Sequence, residues 1–237
     1  MRNVIFSVLI ISSGINTAYA TTLSLQTDKH WYLSGMVGSN VLMDANTEIP
    51  SIFSKPPLTS EPVYHAGYLT GLSVGYRAKP FRLEGELTYR NVPMAKINNA
   101  IGPGTVTNLS DSYTRVLTVF LNGYYDFRFF QCFTPYIGLG GGYVDVRNSI
   151  VPDPAIPVAP GLFFTNKYLN YDTWGYQGIV GVSYAFMKNA EIGVEYRYFS
   201  TLPQNITGQT NLGPDGYKTK QTITDQTVGL VIRYYFA

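Results

Sequence analysis

An all-β fold, an eight-stranded antiparallel up-and-down transmembrane β-barrel, is the class this sequence predicts, on three observations. Eight runs alternate apolar with polar or small residues at a period of two. The connections between them are alternately short and long. Aromatic residues recur about one apolar membrane thickness apart on a single face of the runs. Composition agrees. Charged residues make up 14% of the chain, against roughly 25% in soluble domains, while 20 Tyr, 13 Phe and 23 Gly are plentiful.

The first run, "HWYLSGMVGS" (30–39), sets Trp31, Leu33 and Val37 on one face. In "GYLTGLSVGYR" (67–77), Tyr68, Thr70, Leu72, Val74 and Tyr76 oppose Gly71, Ser73, Gly75 and Arg77. The cleanest run is "FRLEGELTYR" (81–90), with Phe81, Leu83, Leu87 and Tyr89 against Arg82, Glu84, Glu86, Thr88 and Arg90. "TRVLTVFLNGYYDF" (114–127) sets Leu117, Val119, Leu121, Tyr125 and Phe127 opposite Thr118, Asn122 and Asp126. "TPYIGLGGGYVDVR" (134–147) sets Ile137, Leu139 and Tyr143 against Gly138, Gly140 and Gly142. "WGYQGIVGVSYAF" (174–186) sets Tyr176, Val180, Val182, Tyr184 and Phe186 against Gln177, Gly181, Ser183 and Ala185. "AEIGVEYRYF" (190–199) opposes Ile192, Val194, Tyr196 and Tyr198 to Glu191, Glu195 and Arg197. In "TVGLVIRYYF" (227–236), Val228, Leu230, Ile232, Tyr234 and Phe236 oppose Gly229 and Arg233.

Short links ("AKP", "RFFQC" and "MKN") alternate with long ones at 40–66, 91–113, 148–173 and 200–226. A membrane barrel produces this rhythm, with short periplasmic turns and four long extracellular loops. Prolines at 152, 154, 157 and 160 exclude a regular helix or a central strand from the third loop. Tyr68 and Tyr76 lie eight residues apart on one face, as do Phe81 and Tyr89. At ~3.3 Å per residue and ~40° of tilt this spans roughly 20 Å of an apolar band about 25 Å tall. Closure is required, because an open edge in hydrocarbon leaves backbone groups unpaired.

If the apolar face meets lipid, the charged face fills a narrow interior. That interior collects Arg82, Glu84, Glu86, Arg90, Glu191, Glu195, Arg197 and Arg233, four charges of each sign. Charges in low dielectric need partners, so the set reads as a salt-bridge plug; a narrow gated path is the alternative. Long Arg and Glu chains are expected to fill the room left by the glycines at 138, 140 and 142.

Residues 1–20 have the form of a signal peptide. Arg2 precedes an apolar core from Val4 to Ile11, and Ala18 and Ala20 form the small-x-small cleavage pattern. Residues 21–237 then form one barrel domain. Cys132, the single cysteine, excludes an intrachain disulfide and reads as inert. The formal charge of +2, with no Lys/Arg run, gives no basis for nucleic-acid binding.

"TPYIGLGGGY", "AEIGVEYRYF" and "VGLVIRYYF" resemble the OmpA-like, OmpX-like and opacity-protein superfamily of eight-stranded outer-membrane barrels, which includes Gram-negative surface antigens. The resemblance spans essentially the whole mature chain and implies residence in the outer membrane of a Gram-negative bacterium. The bilayer and the outer-membrane insertion machinery would be its partners. The family's C-terminal assembly signal maps onto Val228, Leu230, Ile232, Tyr234 and Phe236, with the departure that Ala237 follows the phenylalanine. The chain looks like a bare-barrel member without a periplasmic domain.

No catalytic, metal or cofactor site is expected. His30 and His65 fall at opposite ends of the barrel, and no serine stands two residues from His65. Asp44, Glu48 and Glu61 follow no calcium-loop spacing. "GLGGG" lacks the lysine and helix of a phosphate loop. Three functions fit the pattern unequally. The first is a surface barrel that is structural or binds host or surface partners through its loops. The second is a small gated porin with an Arg/Glu-lined lumen. A soluble lipocalin-type barrel fits worst, because the chain ends on a strand and the polar face is crowded. Partner identity and oligomeric state are not encoded in any motif.

Overall fold

The fold is described from a computed structural model over residues 31–44, 47–49, 58–98, 106–108, 111–127, 133–150, 156–159, 162–164, 167–210 and 213–236. The expected signal peptide with Ala18 and Ala20, together with His30 and Cys132, lies outside these residues. Eight long strands carry the architecture: β1 (Trp31–Asp44), β2 (Gly67–Ala78), β3 (Phe81–Asn98), β4 (Tyr113–Asp126), β5 (Phe133–Ile150), β6 (Lys167–Met187), β7 (Ala190–Thr201) and β8 (Thr224–Tyr235). Each pairs antiparallel with its chain neighbours, and β8 pairs with β1 to close the barrel.

Register fixes the size of the barrel. A circuit of partners from Trp31 through Tyr76, Leu83, Gly123, Leu139, Gly178, Tyr198 and Gln226 returns to β1 at Val41, ten residues further on. With ~3.3 Å per residue and ~4.8 Å between strands, that stagger over eight strands gives a tilt of about 40° and a backbone radius of about 8 Å. A cylinder this narrow has room for side chains and little else.

The facing follows the alternation. Leu72, Leu83, Leu121, Val180 and Ile232 stand exposed on the outer wall, while Arg82, Glu84, Arg197 and Arg233 are buried within. Aromatic pairs ring the short-turn end. Trp31 meets Tyr76 at 5.2 Å, Phe81 meets Tyr125 at 5.5 Å and Phe133 meets Tyr184 at 5.0 Å. Tyr68 and Tyr89 lie 6.3 Å apart near the other end of the wall. Such rings favour the boundary between hydrocarbon and water.

Several strands run beyond their expected limits: β1 continues to Asp44, β3 to Asn98 and β5 to Ile150, while β6 begins at Lys167 and β8 at Thr224. The physical reason is a reversal of the pattern. Past Arg90 the inward positions become apolar, as with Val92 and Met94, while Asn91 and Pro93 face elsewhere. On β5, Val144 and Val146 point in and Arg147 is exposed. An apolar-out reading loses the strand at the level where the wall leaves the bilayer and resumes the apolar-in pattern of a water-exposed sheet.

Above this level the long connections form ribbons. Thr47–Ile49 pairs with Leu58–Tyr64, which continues onto β3, and Val106–Asn108 also pairs with β3. Gln204–Thr210 pairs with Gly213–Gln221. In the proline-rich segment, Ile156–Ala159 pairs with Leu162–Phe164 as a two-stranded ribbon, in which both strands are edges and proline is tolerated.

Candidate functional site

The interior is built in layers. At the short-turn end, Arg77 donates to both oxygens of Glu191 at 2.7 and 2.9 Å, and Tyr235 donates to the same carboxylate at 3.0 Å. Arg82 donates to Asp126 at 2.8 Å and lies over the rings of Tyr124 and Tyr136 at 4.5 and 4.6 Å. The next layer is held by tyrosine hydroxyls. Tyr32 and Tyr124 donate to Glu84 at 2.8 and 3.1 Å, and Tyr136 donates to Glu195 at 2.7 Å.

Mid-barrel, Glu195 is wholly buried and accepts from Arg197 at 2.8 Å and Arg233 at 2.5 Å. Arg197 also donates to Glu86 across the lumen at 2.6 Å, and Gln177 joins Glu86 to Asn122 at 3.1 and 2.9 Å. Higher up, Arg90 sits over the Phe199 ring at 4.4 Å and donates to Thr88 at 2.8 Å, with Asp225 at 3.8 Å. Asn40 and Thr227 donate to that aspartate at 2.5 and 2.7 Å.

All eight expected lumen charges lie inside. Arg77, Asp126 and Asp225 join them, so the described interior holds five arginines and six carboxylates instead of four of each. Arg77 and Asp126 already alternated onto the inner face but stand at strand ends, and Asp225 precedes the run that was legible as a strand. The glycines give a second correction. A Cβ at Gly138 would meet the Tyr124 ring, one at Gly140 the Asn122 amide, and one at Gly142 the backbone and ring of Phe120. The room they leave is filled by the side chains of β4 next door, not by Arg and Glu reaching across. A cross-strand neighbour about 5 Å away claims the space first.

Alternation alone did not reveal the outer mouth. Leu42, Val92, Val116, Phe120, Val144, Val146, Phe199 and Ile223 pack there as one buried cluster, with Tyr64 and Tyr171 against it. Burial pushes the Tyr64 hydroxyl up to about 12, a hydrogen bond with Thr114 acting in the opposite sense. The legible signal was the reversal of pattern beyond Arg90. The lumen is therefore an ion-paired column under an apolar stopper, an arrangement suited to filling the barrel. On β8 and one residue past its end, the residues of the expected assembly signal, Val228, Leu230, Ile232, Tyr234 and Phe236, are exposed. His65 is an exposed loop residue whose amide donates to the Pro93 carbonyl at 3.0 Å. Among the described residues no three His, Cys, Asp or Glu side chains converge as a metal site.

A family model described as "Outer membrane protein beta-barrel domain" matches residues 6–236. The outer membrane protein PagN of Salmonella typhimurium is 33% identical over 139 residues, a match covering 55% of this chain and 56% of PagN. The matched region thus spans about half the length of that relative. The outer membrane protein OprG of Pseudomonas aeruginosa shares the fold with a TM-score of 0.59 at 17% identity, over 90% of this chain and 99% of OprG. Neisserial surface protein A shares it with a TM-score of 0.50 at 16% identity, over 87% and 97% of the two chains.

Proposed function

We propose, from the premise that this chain belongs to the outer membrane protein β-barrel domain family, that it is a non-catalytic surface protein of the Gram-negative outer membrane whose extracellular ribbons bind an external partner. One observation carries the reading. Strand-paired elaboration is concentrated at the end with the long connections, where β3, β5, β6 and three ribbons extend beyond the apolar wall. The other end closes with turns such as Lys79–Pro80 and Lys188–Asn189. Exposed loops on a rigid scaffold are where binding usually resides.

The test compares bacteria displaying the full barrel with bacteria displaying one trimmed of 152–160 or of the ribbon over 204–221. Attachment to cultured host cells is expected to fall while heat-dependent gel mobility, the mark of a folded barrel, is unchanged. Equal attachment by trimmed and full barrels would end the reading.

The alternative, a gated porin, makes the opposite demand on the lumen. An ion would have to pass the apolar mouth and part Arg197 from Glu86 and Glu195, pairs at 2.6 and 2.7 Å. Breaking buried pairs by separating their charges is strongly unfavourable. Refolded protein is therefore expected to be silent in a planar bilayer. Discrete, reproducible openings would restore the porin reading.

A further inference from the structure

Six carboxylates against five arginines leave the described interior with one negative charge in excess. The excess has an address. Five of the six carboxylates stand within ion-pair distance of a buried arginine. The sixth, Glu84, is buried and has no such arginine among the described residues. Its oxygens accept instead from two phenols, Oε2 from Tyr32 at 2.8 Å and Oε1 from Tyr124 at 3.1 Å. A carboxylate so placed is a proton acceptor already aligned on two hydroxyl donors.

The two phenols are not isolated. The Tyr32 ring lies 5.3 Å from that of Tyr235, and the Tyr124 ring lies 6.0 Å from that of Tyr136. Four buried tyrosines are thus joined by ring contact on either side of Glu84. The set stands toward the short-turn end of the barrel. Trp31, the residue before Tyr32, is exposed at that same end and packs on Tyr76 at 5.2 Å. An aromatic path therefore runs from the rim to phenols that solvent does not reach. A phenol loses an electron far more readily when its proton can leave at the same time, because no cationic ring is then left in low dielectric. Here the proton has only to cross an existing hydrogen bond.

We propose that Tyr32, Tyr124 and Glu84 form a site for one-electron oxidation, a sink for strong one-electron oxidants such as oxygen-centred radicals. One electron passes from a phenol to the oxidant. The phenol O–H bond breaks, its proton bonds to Glu84, and a neutral tyrosyl radical remains beside a neutral carboxyl group. The step takes the described interior from six carboxylates and five arginines to five charges of each sign, so charge balance in the closed lumen favours it. Burial keeps the radical from coupling with a second molecule. An external one-electron donor, such as a thiolate or ascorbate, reverses both transfers. The site does not depend on the proposed role of the extracellular ribbons.

The test is electron paramagnetic resonance of refolded full-length protein in detergent, frozen after photo-oxidation by a ruthenium tris-bipyridine complex with persulfate. Wild type is expected to show a persistent tyrosyl radical. Glu84→Gln should retain the folded gel mobility and hydrogen bonds to both phenols, yet give a several-fold smaller signal, because an amide does not take up the proton. Tyr32→Phe/Tyr124→Phe should lose the signal as well. Tyr196→Phe/Tyr198→Phe, on the exposed outer wall, should keep it. A wild-type yield from Glu84→Gln would overturn the site, and so would loss of the signal in the outer-wall variant. Should a variant fail to fold, wild type alone decides by electron–nuclear double resonance. A strongly coupled exchangeable proton, replaced by deuterium in heavy water, supports the hydrogen bond from Glu84 to the radical, and its absence refutes it.

Discussion

Glu195→Ala is expected to lower the stability of the barrel by about 3–5 kcal/mol, the range for removing one partner of a buried ion pair. Glu195 has no exposed surface and accepts from Arg197, Arg233 and Tyr136 at once. Arg197 would keep Glu86. Among the described residues Arg233 would keep the hydroxyl and ring of Tyr136, at 3.1 and 4.9 Å, and so would be left as a buried cation with no carboxylate pair. Adding Arg233→Met should therefore recover part of the loss, because removing both charges avoids that penalty. Glu84→Gln should cost less, since Glu84 accepts from the hydroxyls of Tyr32 and Tyr124 at one oxygen each; the amide oxygen can still accept from one hydroxyl, and the other can turn to accept from the amide nitrogen. Urea unfolding in lipid vesicles, followed by gel shift, measures all three. A loss under about 1 kcal/mol for Glu195→Ala would mean that water screens the pair as it does at a surface. That result would also undercut the plug.

The eight strands and their facing were legible because the bilayer and the crowded lumen impose opposite chemistries on alternate residues. Nothing else in the chain repeats Phe81, Leu83, Leu87 against Arg82, Glu84, Glu86 so regularly. The inner charges were legible for the same reason, but their pairing was not. Whether Arg197 reaches Glu86, 111 positions earlier in the chain, depends on a ten-residue stagger that no single strand encodes. The glycines at 138, 140 and 142 announced a close approach without saying whose, and the answer lay on the neighbouring strand. The apolar stopper was hidden because Val92, Val116 and Val144 carry the hydrophobic signal on the inner face, opposite in phase to the residues below them.

The facing assignment is most exposed to test at Leu121. Leu121→Arg is expected to reduce stability in lipid by roughly 2–4 kcal/mol, the cost of a cation on the lipid face at mid-depth. Leu121 is 59% exposed on the outer wall, between Leu117 toward the long connections and Tyr125 at the short-turn end. The same change at Leu117 should cost only about 0–1 kcal/mol. There the guanidinium can snorkel to the level of Arg115, two residues on along the same face. The contrast matters more than either value, since overpacking or a lost leucine would weaken both positions alike. A slip of one residue would turn Asn122 and Thr118 toward lipid and Leu121 into the lumen, where an added arginine would meet Glu86 and the graded cost would vanish. Equal losses at Leu117 and Leu121 would mean that the band is not centred on β4 where Val119 and Leu121 place it.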